Sequence, residues 1–261
     1  MMGERRTICW FSAGAASAVA AKFAIEEWPD AELVYCETNA EHEDNERFMA
    51  DCERWMERPV TRISSTKYHD TWDVWERRKA MAFKDGAPCT LELKMKARLA
   101  FQRPDDIQVF GYTADADDDR RAKVFRERFF EVDMRTPLID AGLKKEACLA
   151  ILENAGIAPP LTYALGLPHA NCIPCPKATS PNYWSLIRKE WPDKFERAVE
   201  LSRRLGVRLT RIPAISDRKD DRIFIDQIPA DWPVTQPIVP ACDFMCAIAQ
   251  EDIAPKIEEG A

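Results

Sequence analysis

Six small residues separate an apolar run from a stretch with helical periodicity near the start of the chain. They are Ser12, Ala13, Gly14, Ala15, Ala16 and Ser17. Because no side chain in this loop is large, its backbone amides can approach a phosphate at the start of the following helix. The hydroxyls of Ser12 and Ser17 can donate further hydrogen bonds to phosphate oxygens. Small residues also occur where a helix packs tightly on a strand, so the spacing alone leaves both interpretations open.

Two cysteine pairs in the last third of the chain have spacings that suit a metal. Cys172 and Cys175 form a Cys-x-x-Cys turn, in which two thiolates can converge on one ion. Cys242 and Cys246 are four positions apart, on one face if that segment is helical. Together they predict four soft ligands, which suit zinc and an iron-sulfur cluster alike. Buried free thiols are the alternative interpretation.

Strands and helices alternate in the pattern of the first half of the chain. Strands are predicted at 6–11, 31–36, 60–64 and 107–112, and helices at 16–28, 44–57, 89–101 and 118–130. This alternation predicts an α/β fold, a parallel sheet with helices on both faces and with ligands at the carboxyl ends of its strands. The loop from Ser12 to Ser17 is then the expected binding site.

The character of the sequence changes after Pro137. A helix is predicted at 143–154, a Pro-rich stretch follows at 158–168, and further helical segments surround Trp184 and Phe195. We therefore expect an α/β domain over residues 1–140 and a smaller, mostly helical region with the cysteine pairs over residues 141–261.

The chain is acidic, with 44 Asp and Glu against 37 Lys and Arg and a formal net charge of −7. This balance argues against general attraction to duplex nucleic acid or to a membrane surface, while a local basic face for tRNA or DNA stays open. No segment has the ~20 consecutive apolar residues that span a bilayer. Nine cysteines without a secretory signal predict thiols or metal ligands in a cytoplasmic protein.

The loop and its context resemble a known superfamily. The stretch from Ser12 to Ser17 is similar to the PP-loop of ATP pyrophosphatases and phosphoadenosine phosphosulfate (PAPS) reductases, usually Ser-Gly-Gly-x-Asp-Ser. Ala13 replaces a glycine and Ala16 replaces the aspartate, which points to the reductase-like branch. The resemblance implies a Rossmann-like, adenine nucleotide alpha-hydrolase-like fold. It also implies binding of ATP, or of the sulfonucleotides PAPS or adenosine phosphosulfate (APS), with Mg²⁺ as an optional companion.

The resemblance covers roughly the first two thirds of the chain and extends to residues beyond the loop. Glu37 and Thr38 lie in a segment, Tyr35 to Asn45, that is similar to the family loop that borders the adenosine. Gly111 ends a strand in a stretch that resembles the later nucleotide-side loop of the family. Arg121 or Arg120 would be the downstream arginine that meets the phosphates.

The resemblance also gives Cys89 and Lys94 roles. Lys94 lies five positions after Cys89, as in the Cys-x-x-x-x-Lys segment of the family, where a lysine could contact phosphate or sulfate. A basic, solvated helix face is the alternative for Lys94. In reductases with a cluster, a cysteine matching Cys89 acts with a later Cys-x-x-Cys. A [4Fe-4S] cluster could therefore draw on Cys89, Cys172, Cys175 and one cysteine of the last pair.

These features predict an enzyme that cleaves ATP to AMP and pyrophosphate. It would adenylate a nucleobase in tRNA or DNA, or a free nucleotide, so that sulfur can replace the activated oxygen, with loop amides and Lys94 or Arg121 stabilising the transition state. Thiol-dependent reduction of PAPS or APS is one alternative, although the C-terminal Glu-Cys-Gly-Leu-His motif of that family is absent. A noncatalytic nucleotide or nucleic-acid binding module with structural zinc is another. A homodimer is compatible with all three.

Overall fold

A computed structural model describes residues 5–83, 86–167, 169–170, 172–212 and 222–234. Its strands are β1 Thr7–Phe11, β2 Glu32–Cys36, β3 Val60–Ile63, β4 Ile107–Phe110 and β5 Asp133–Arg135. Its helices are α1 Ala15–Glu27, α2 Asp44–Met56, α3 Thr71–Arg78, α4 Lys96–Phe101, α5 Ala116–Arg128, α6 Pro137–Asp140, α7 Lys145–Asn154, α8 Leu161–Ala164, α9 Pro181–Glu190 and α10 Pro192–Leu205. A π-helical turn, Thr90–Met95, leads into α4, and a 3₁₀ turn covers Ile225–Gln227.

The five strands form one parallel sheet in the order β3-β2-β1-β4-β5. All residues of β1 are buried, as its uninterrupted apolar sequence requires for a central parallel strand. With helices flanking the sheet, the predicted α/β fold class is confirmed. The strand order changes direction between β1 and β4. From β1 the chain adds β2 and β3 on one side, and it then crosses to the other side of β1 to add β4 and β5. Ligands of open parallel sheets bind outside the carboxyl ends of the strands at such a switch point.

Helix α1 packs closely on the sheet because its side chains are small. It contacts β1, β4, α6 and α7, and five of its alanines, Ala15, Ala18, Ala20, Ala21 and Ala24, are fully buried. Small residues let the helix axis approach the strands, so the start of α1 is held rigidly at the end of β1.

The contacts divide the described chain into two units that differ from the predicted boundary at residue 140. The first unit comprises residues 5–37, Glu43–Ser64 and Lys96–Leu161 and contains the whole sheet. The second unit comprises Thr38–His42 and the described residues of Ser65–Met95 and from Thr162 onward. Helix α7 belongs to the first unit because it packs on α1. Residues 65–95 belong to the second because their aromatic side chains share its core with α9 and α10.

Helix α3 and strand β5 were not predicted from the sequence, whereas the other strands agree with the predicted segments. The helix predicted over 89–101 begins as the π-helical turn and continues as α4. Asp70 caps α3, and its carboxylate accepts a hydrogen bond from the Asp73 amide at 2.8 Å. Among the described residues, no helix is both long enough and apolar enough to cross a bilayer.

A buried ion pair joins the segments that lead into β1 and β4. Nε and Nη2 of Arg6 donate to the two carboxylate oxygens of Asp106 at 2.9 and 2.7 Å, and the Arg103 amide donates at 2.6 Å. Burial alone would raise the pKa of Asp106, but these hydrogen bonds outweigh it and lower the pKa. The pair therefore stabilises the fold above the unfolded pKa of about 4, and this contribution is lost as the pH falls further.

We expect Asp106→Asn to lower the free energy of unfolding by about 3 kcal/mol at pH 7, because Arg6 keeps its charge but loses the buried partner. At pH 3 the difference in the free energy of unfolding between the variant and the unchanged protein should be smaller. Acid begins to protonate Asp106 at this pH, so the unchanged protein also loses part of the ion pair. Urea unfolding at both pH values measures the two differences. An equal difference at pH 3 and pH 7 would show that the effect does not arise from this ion pair.

Candidate functional site

The loop predicted to bind phosphate follows β1 and runs into α1. Gly14 is the N-cap residue of α1, with extended backbone angles (φ −119°, ψ 161°). Ala13 has φ 55°, in the left-handed region that favours glycine. It stands where the PP-loops that this segment resembles have a glycine. The first amides of α1 have no partner within the helix, and the helix dipole makes this end favourable for an anion.

Ser17 organises this loop from the inside. Its Oγ accepts hydrogen bonds from the amides of Ser12 and Gly14 at 3.1 and 3.3 Å, and donates to the Gly14 carbonyl at 2.9 Å. Ser17 is 4% exposed, whereas Ser12 is exposed. A phosphate that uses the amides of Ser12 and Gly14 must therefore replace the Ser17 hydroxyl as their acceptor. In this state, Ser17 shapes the loop instead of facing a ligand.

Gly111 lies directly against the start of α1. A Cβ atom at this position would be 2.8 Å from Cα and 2.9 Å from N of Ser17, and 3.1 Å from the carbonyl carbon of Ala16. The two distances to Ser17 are shorter than real Cβ atoms show, the third is unusually tight, and all three neighbours are backbone atoms. Gly111 directly follows β4, the neighbour of β1 in the sheet. The two segments that resemble nucleotide-side loops thus meet at the switch point.

A polar cluster follows the end of β4 and includes the predicted phosphate ligand Arg121. Thr113 Oγ1 lies 2.9 Å from a carboxylate oxygen of Asp115 and 2.8 Å from one of Asp118. Asp118 also accepts a hydrogen bond from Nη1 of Arg121 at 2.6 Å. The Arg121 side chain is only 12% exposed, and its guanidinium lies 6.0 Å from the centre of the Tyr112 ring. The charge of Arg121 is therefore held in one place near this edge of the sheet.

Lys145 is a second cation of this cluster that was not predicted from the sequence. Its amide donates to Asp115 at 2.9 Å, and it begins α7, which packs on α1. Burial lowers the pKa of Lys145, although the nearby Asp118 and Asp115 act in the opposite direction. A buried ammonium with a lowered pKa gains when an anion binds beside it. Its sequence context shows the start of a helix but not its proximity to Asp115.

Glu37 and Thr38, both predicted to border the adenosine, fall into different units. The Glu37 amide donates to the Ile63 carbonyl at 2.8 Å, and its carboxylate lies 3.3 Å from Arg62. Thr38 is 1% exposed, and its hydroxyl lies 3.0 Å from the sulfur of Cys172. This contact differs from the predicted role of Thr38, because its buried hydroxyl faces the Cys-x-x-Cys turn.

Three cysteines line one small cavity in the second unit. Cys89, Cys172 and Cys175 surround it together with Lys94 and Lys177. About 20 Å³ of the cavity is accessible to the centre of a water molecule, which is room for one or two water-sized groups. All three are buried cysteines that are not joined in disulfides. The cavity therefore brings together the residues that the resemblance assigns to one site, namely Cys89, Lys94, Cys172 and Cys175.

No family model matches the chain. A search of curated proteins also finds no match. The assignment of these sites therefore depends on the residues themselves and on their geometry.

The cavity has the donor chemistry of a soft-metal site. Thiolates of Cys89, Cys172 and Cys175 would suit zinc or an iron-sulfur cluster, and the two lysines would offset part of the thiolate charge. Among the residues that the structure describes, no three His, Cys, Asp or Glu side chains are already arranged around a metal position. The other predicted ligands, Cys242 and Cys246, lie outside the described residues.

Proposed function

We propose that this chain is an enzyme that binds ATP at the switch point of its first unit and uses it to adenylate a nucleobase or nucleotide. The observation that carries the proposal is the strand order, which brings the Ser12–Ser17 loop and Gly111 together at the expected ligand crevice of the sheet. The PP-loop resemblance supplies the class of ligand, an adenine nucleotide. The proposal retains a cytoplasmic location, with a base of tRNA or DNA, or a free nucleotide, as the acceptor.

In adenylation, an oxygen of the acceptor bonds to the α-phosphorus while the bond to the bridging oxygen of the β-phosphate breaks. Negative charge then develops on the departing pyrophosphate. Amides at the start of α1 can bind this charge, and Arg121 and Lys145 are cations of the adjoining cluster. The ion pair with Asp118 keeps the Arg121 guanidinium in place, so little reorganisation is needed when the charge develops.

Sulfur transfer is the second part of the proposal, and the thiol cavity of the second unit supports it. Cys89, Cys172 and Cys175, with a fourth ligand from the Cys242 and Cys246 pair, would hold the metal centre. The cavity has room for a single ion such as zinc, whereas a [4Fe-4S] cluster would require its lining residues to move apart; either centre would then bind the incoming sulfur. Lys94 lies at the same cavity, where its charge favours a sulfur anion as well as thiolates.

Titration calorimetry with ATP tests the nucleotide site. We expect a Kd between about 1 µM and 1 mM, the usual range for enzyme substrates. Arg121→Met and Lys145→Met should each weaken ATP binding about tenfold, since each removes a charged partner of phosphate. Arg120→Met is the matched control, because Arg120 is an exposed neighbour that forms an ion pair with the exposed Asp117. It should leave the Kd within about threefold, because an exposed ion pair contributes little.

The reaction is tested by incubating the full chain with ATP and candidate tRNA and measuring pyrophosphate. Pyrophosphate release that requires the RNA supports adenylation. Release of sulfite from PAPS or APS with a thiol donor would identify a reductase instead. ATP binding without either product would favour a noncatalytic module, and failure to bind any adenine nucleotide would overturn the proposal.

A further inference from the structure

The short segment Thr38–His42 holds the Cys-x-x-Cys turn through its backbone. Glu41 and Cys172 form an antiparallel bridge, and the Ile173 amide donates to the Ala40 carbonyl at 2.7 Å. His42 adds an edge-to-face contact with Trp191, with the ring centres 5.8 Å apart. The backbone of Cys172 is therefore fixed by a segment distant in sequence.

The side chains of the same segment reach the sulfur of Cys172. The Thr38 hydroxyl donates to Oε1 of Glu41 at 2.5 Å and lies 3.0 Å from the Cys172 sulfur. The sulfur itself is 3.7 Å from Oε1 of Glu41, and Oε2 of Glu41 accepts the Ala40 amide at 3.2 Å. The carboxylate thus orients the hydroxyl, and the hydroxyl oxygen meets the sulfur. This chain of contacts is buried at Thr38, which is 1% exposed.

A second threonine at the same cavity provides a comparison, because its hydroxyl does not contact a cysteine sulfur. Thr71 lines the cavity and is 1% exposed, yet its Oγ1 has no hydrogen-bond partner within the described structure. Thr71 and Thr38 therefore share burial and location but differ in contact with a cysteine sulfur.

We propose that Glu41 and Thr38 are positioning residues that orient the Cys172 sulfur for metal binding. The inference rests on the metal site proposed above and assigns two residues to it that are not ligands. Groups that hydrogen-bond to metal ligands commonly change metal affinity 10- to 100-fold when they are removed. With its proton donated to Glu41, the Thr38 hydroxyl can accept from the Cys172 thiol, and it can turn this proton to the sulfur once Cys172 becomes a thiolate.

The test measures Zn²⁺ affinity by competition with a chelator, using the full chain stripped of metal under anaerobic conditions. Thr38→Val and Glu41→Ala should weaken Zn²⁺ binding by about 10- to 100-fold. Thr38→Ser and Glu41→Gln keep a hydroxyl and an acceptor, so they should stay within about threefold of the unchanged protein. Thr71→Val and Glu43→Ala are the matched controls and should also leave the Zn²⁺ affinity within about threefold. The Thr71 hydroxyl has no hydrogen-bond partner in the described structure, and Glu43 is an exposed neighbour of Glu41 in sequence.

Absorption of the Co²⁺-loaded proteins separates positioning from general destabilisation. Thr38→Val should shift the thiolate-to-cobalt and ligand-field bands, and Thr71→Val should leave them in place. Equal Zn²⁺ affinities and equal cobalt spectra for these two variants would overturn the positioning role. If Thr38→Val fails to fold, the Zn²⁺ affinities of Thr38→Ser and Glu41→Gln are compared with that of Glu41→Ala. Equal affinities for all three would then overturn the positioning role. An unchanged protein that binds neither ion would overturn the metal site itself, and this inference with it.

Discussion

Gly111→Ala should abolish most ATP binding, with a loss of affinity of at least about tenfold, and should lower the free energy of unfolding by about 1–3 kcal/mol. The added Cβ would lie 2.8 and 2.9 Å from backbone atoms of Ser17, which cannot turn aside as a side chain can. The first turn of α1 must therefore move away from β4. The amides of the loop move with it, so the anion site loses its geometry. Calorimetry with ATP and urea unfolding measure the two effects.

Gly156→Ala is the matched control for this prediction, because it imposes strain without a collision. Gly156 follows α7 in the same unit with φ +71°, and a Cβ there would have no atom within 4 Å. Alanine in this left-handed conformation costs about 1–2 kcal/mol. Both variants should thus lose similar stability, but only Gly111→Ala should lose ATP binding. Normal ATP binding by Gly111→Ala would exclude the loop as the site, and equal losses would indicate general destabilisation.

Much of the first unit could be predicted from the sequence because its elements carry strong local signals. The apolar runs of β1 and β4 and the small residues after β1 identified a parallel sheet and a candidate loop. The three-residue β5 escaped prediction because two of its residues are charged. Helix α3 escaped because it has only eight residues and no long periodic pattern.

Parts of the candidate sites could not be predicted because they depend on contacts between distant segments. Nothing near Lys145 in sequence shows that its amide meets Asp115, 30 positions earlier. The Ser17 hydroxyl was expected to face phosphate, but its burial turns it towards the loop amides. Thr38 adjoins β2 in sequence, yet its hydroxyl contacts a cysteine 134 positions away. Residue type identified polar groups in each case, and only tertiary packing decided what they touch.

The other large expected effect is the loss of bound metal when cysteines of the thiol cavity are replaced. Its cysteines come from segments far apart in sequence, the residues before the π-helical turn and the Cys-x-x-Cys turn. A metal centre with four ligands rarely survives the loss of two of them, because soft thiolates provide most of the binding energy. The double change Cys172→Ser and Cys175→Ser should therefore reduce bound metal from about one centre per chain to less than about a tenth.

Anaerobic purification followed by iron, zinc and sulfide analysis measures this loss, and the absorption spectrum distinguishes a cluster from zinc. Cys89→Ser should cause a comparable loss, since Cys89 lines the same cavity. Cys148→Ser is the control, because Cys148 is buried in the first unit, where burial raises the pKa of its thiol to about 11. It should keep a full metal content, because a thiol that resists ionisation is a poor ligand. Metal that persists in the double variant but disappears with Cys148→Ser would place the centre elsewhere.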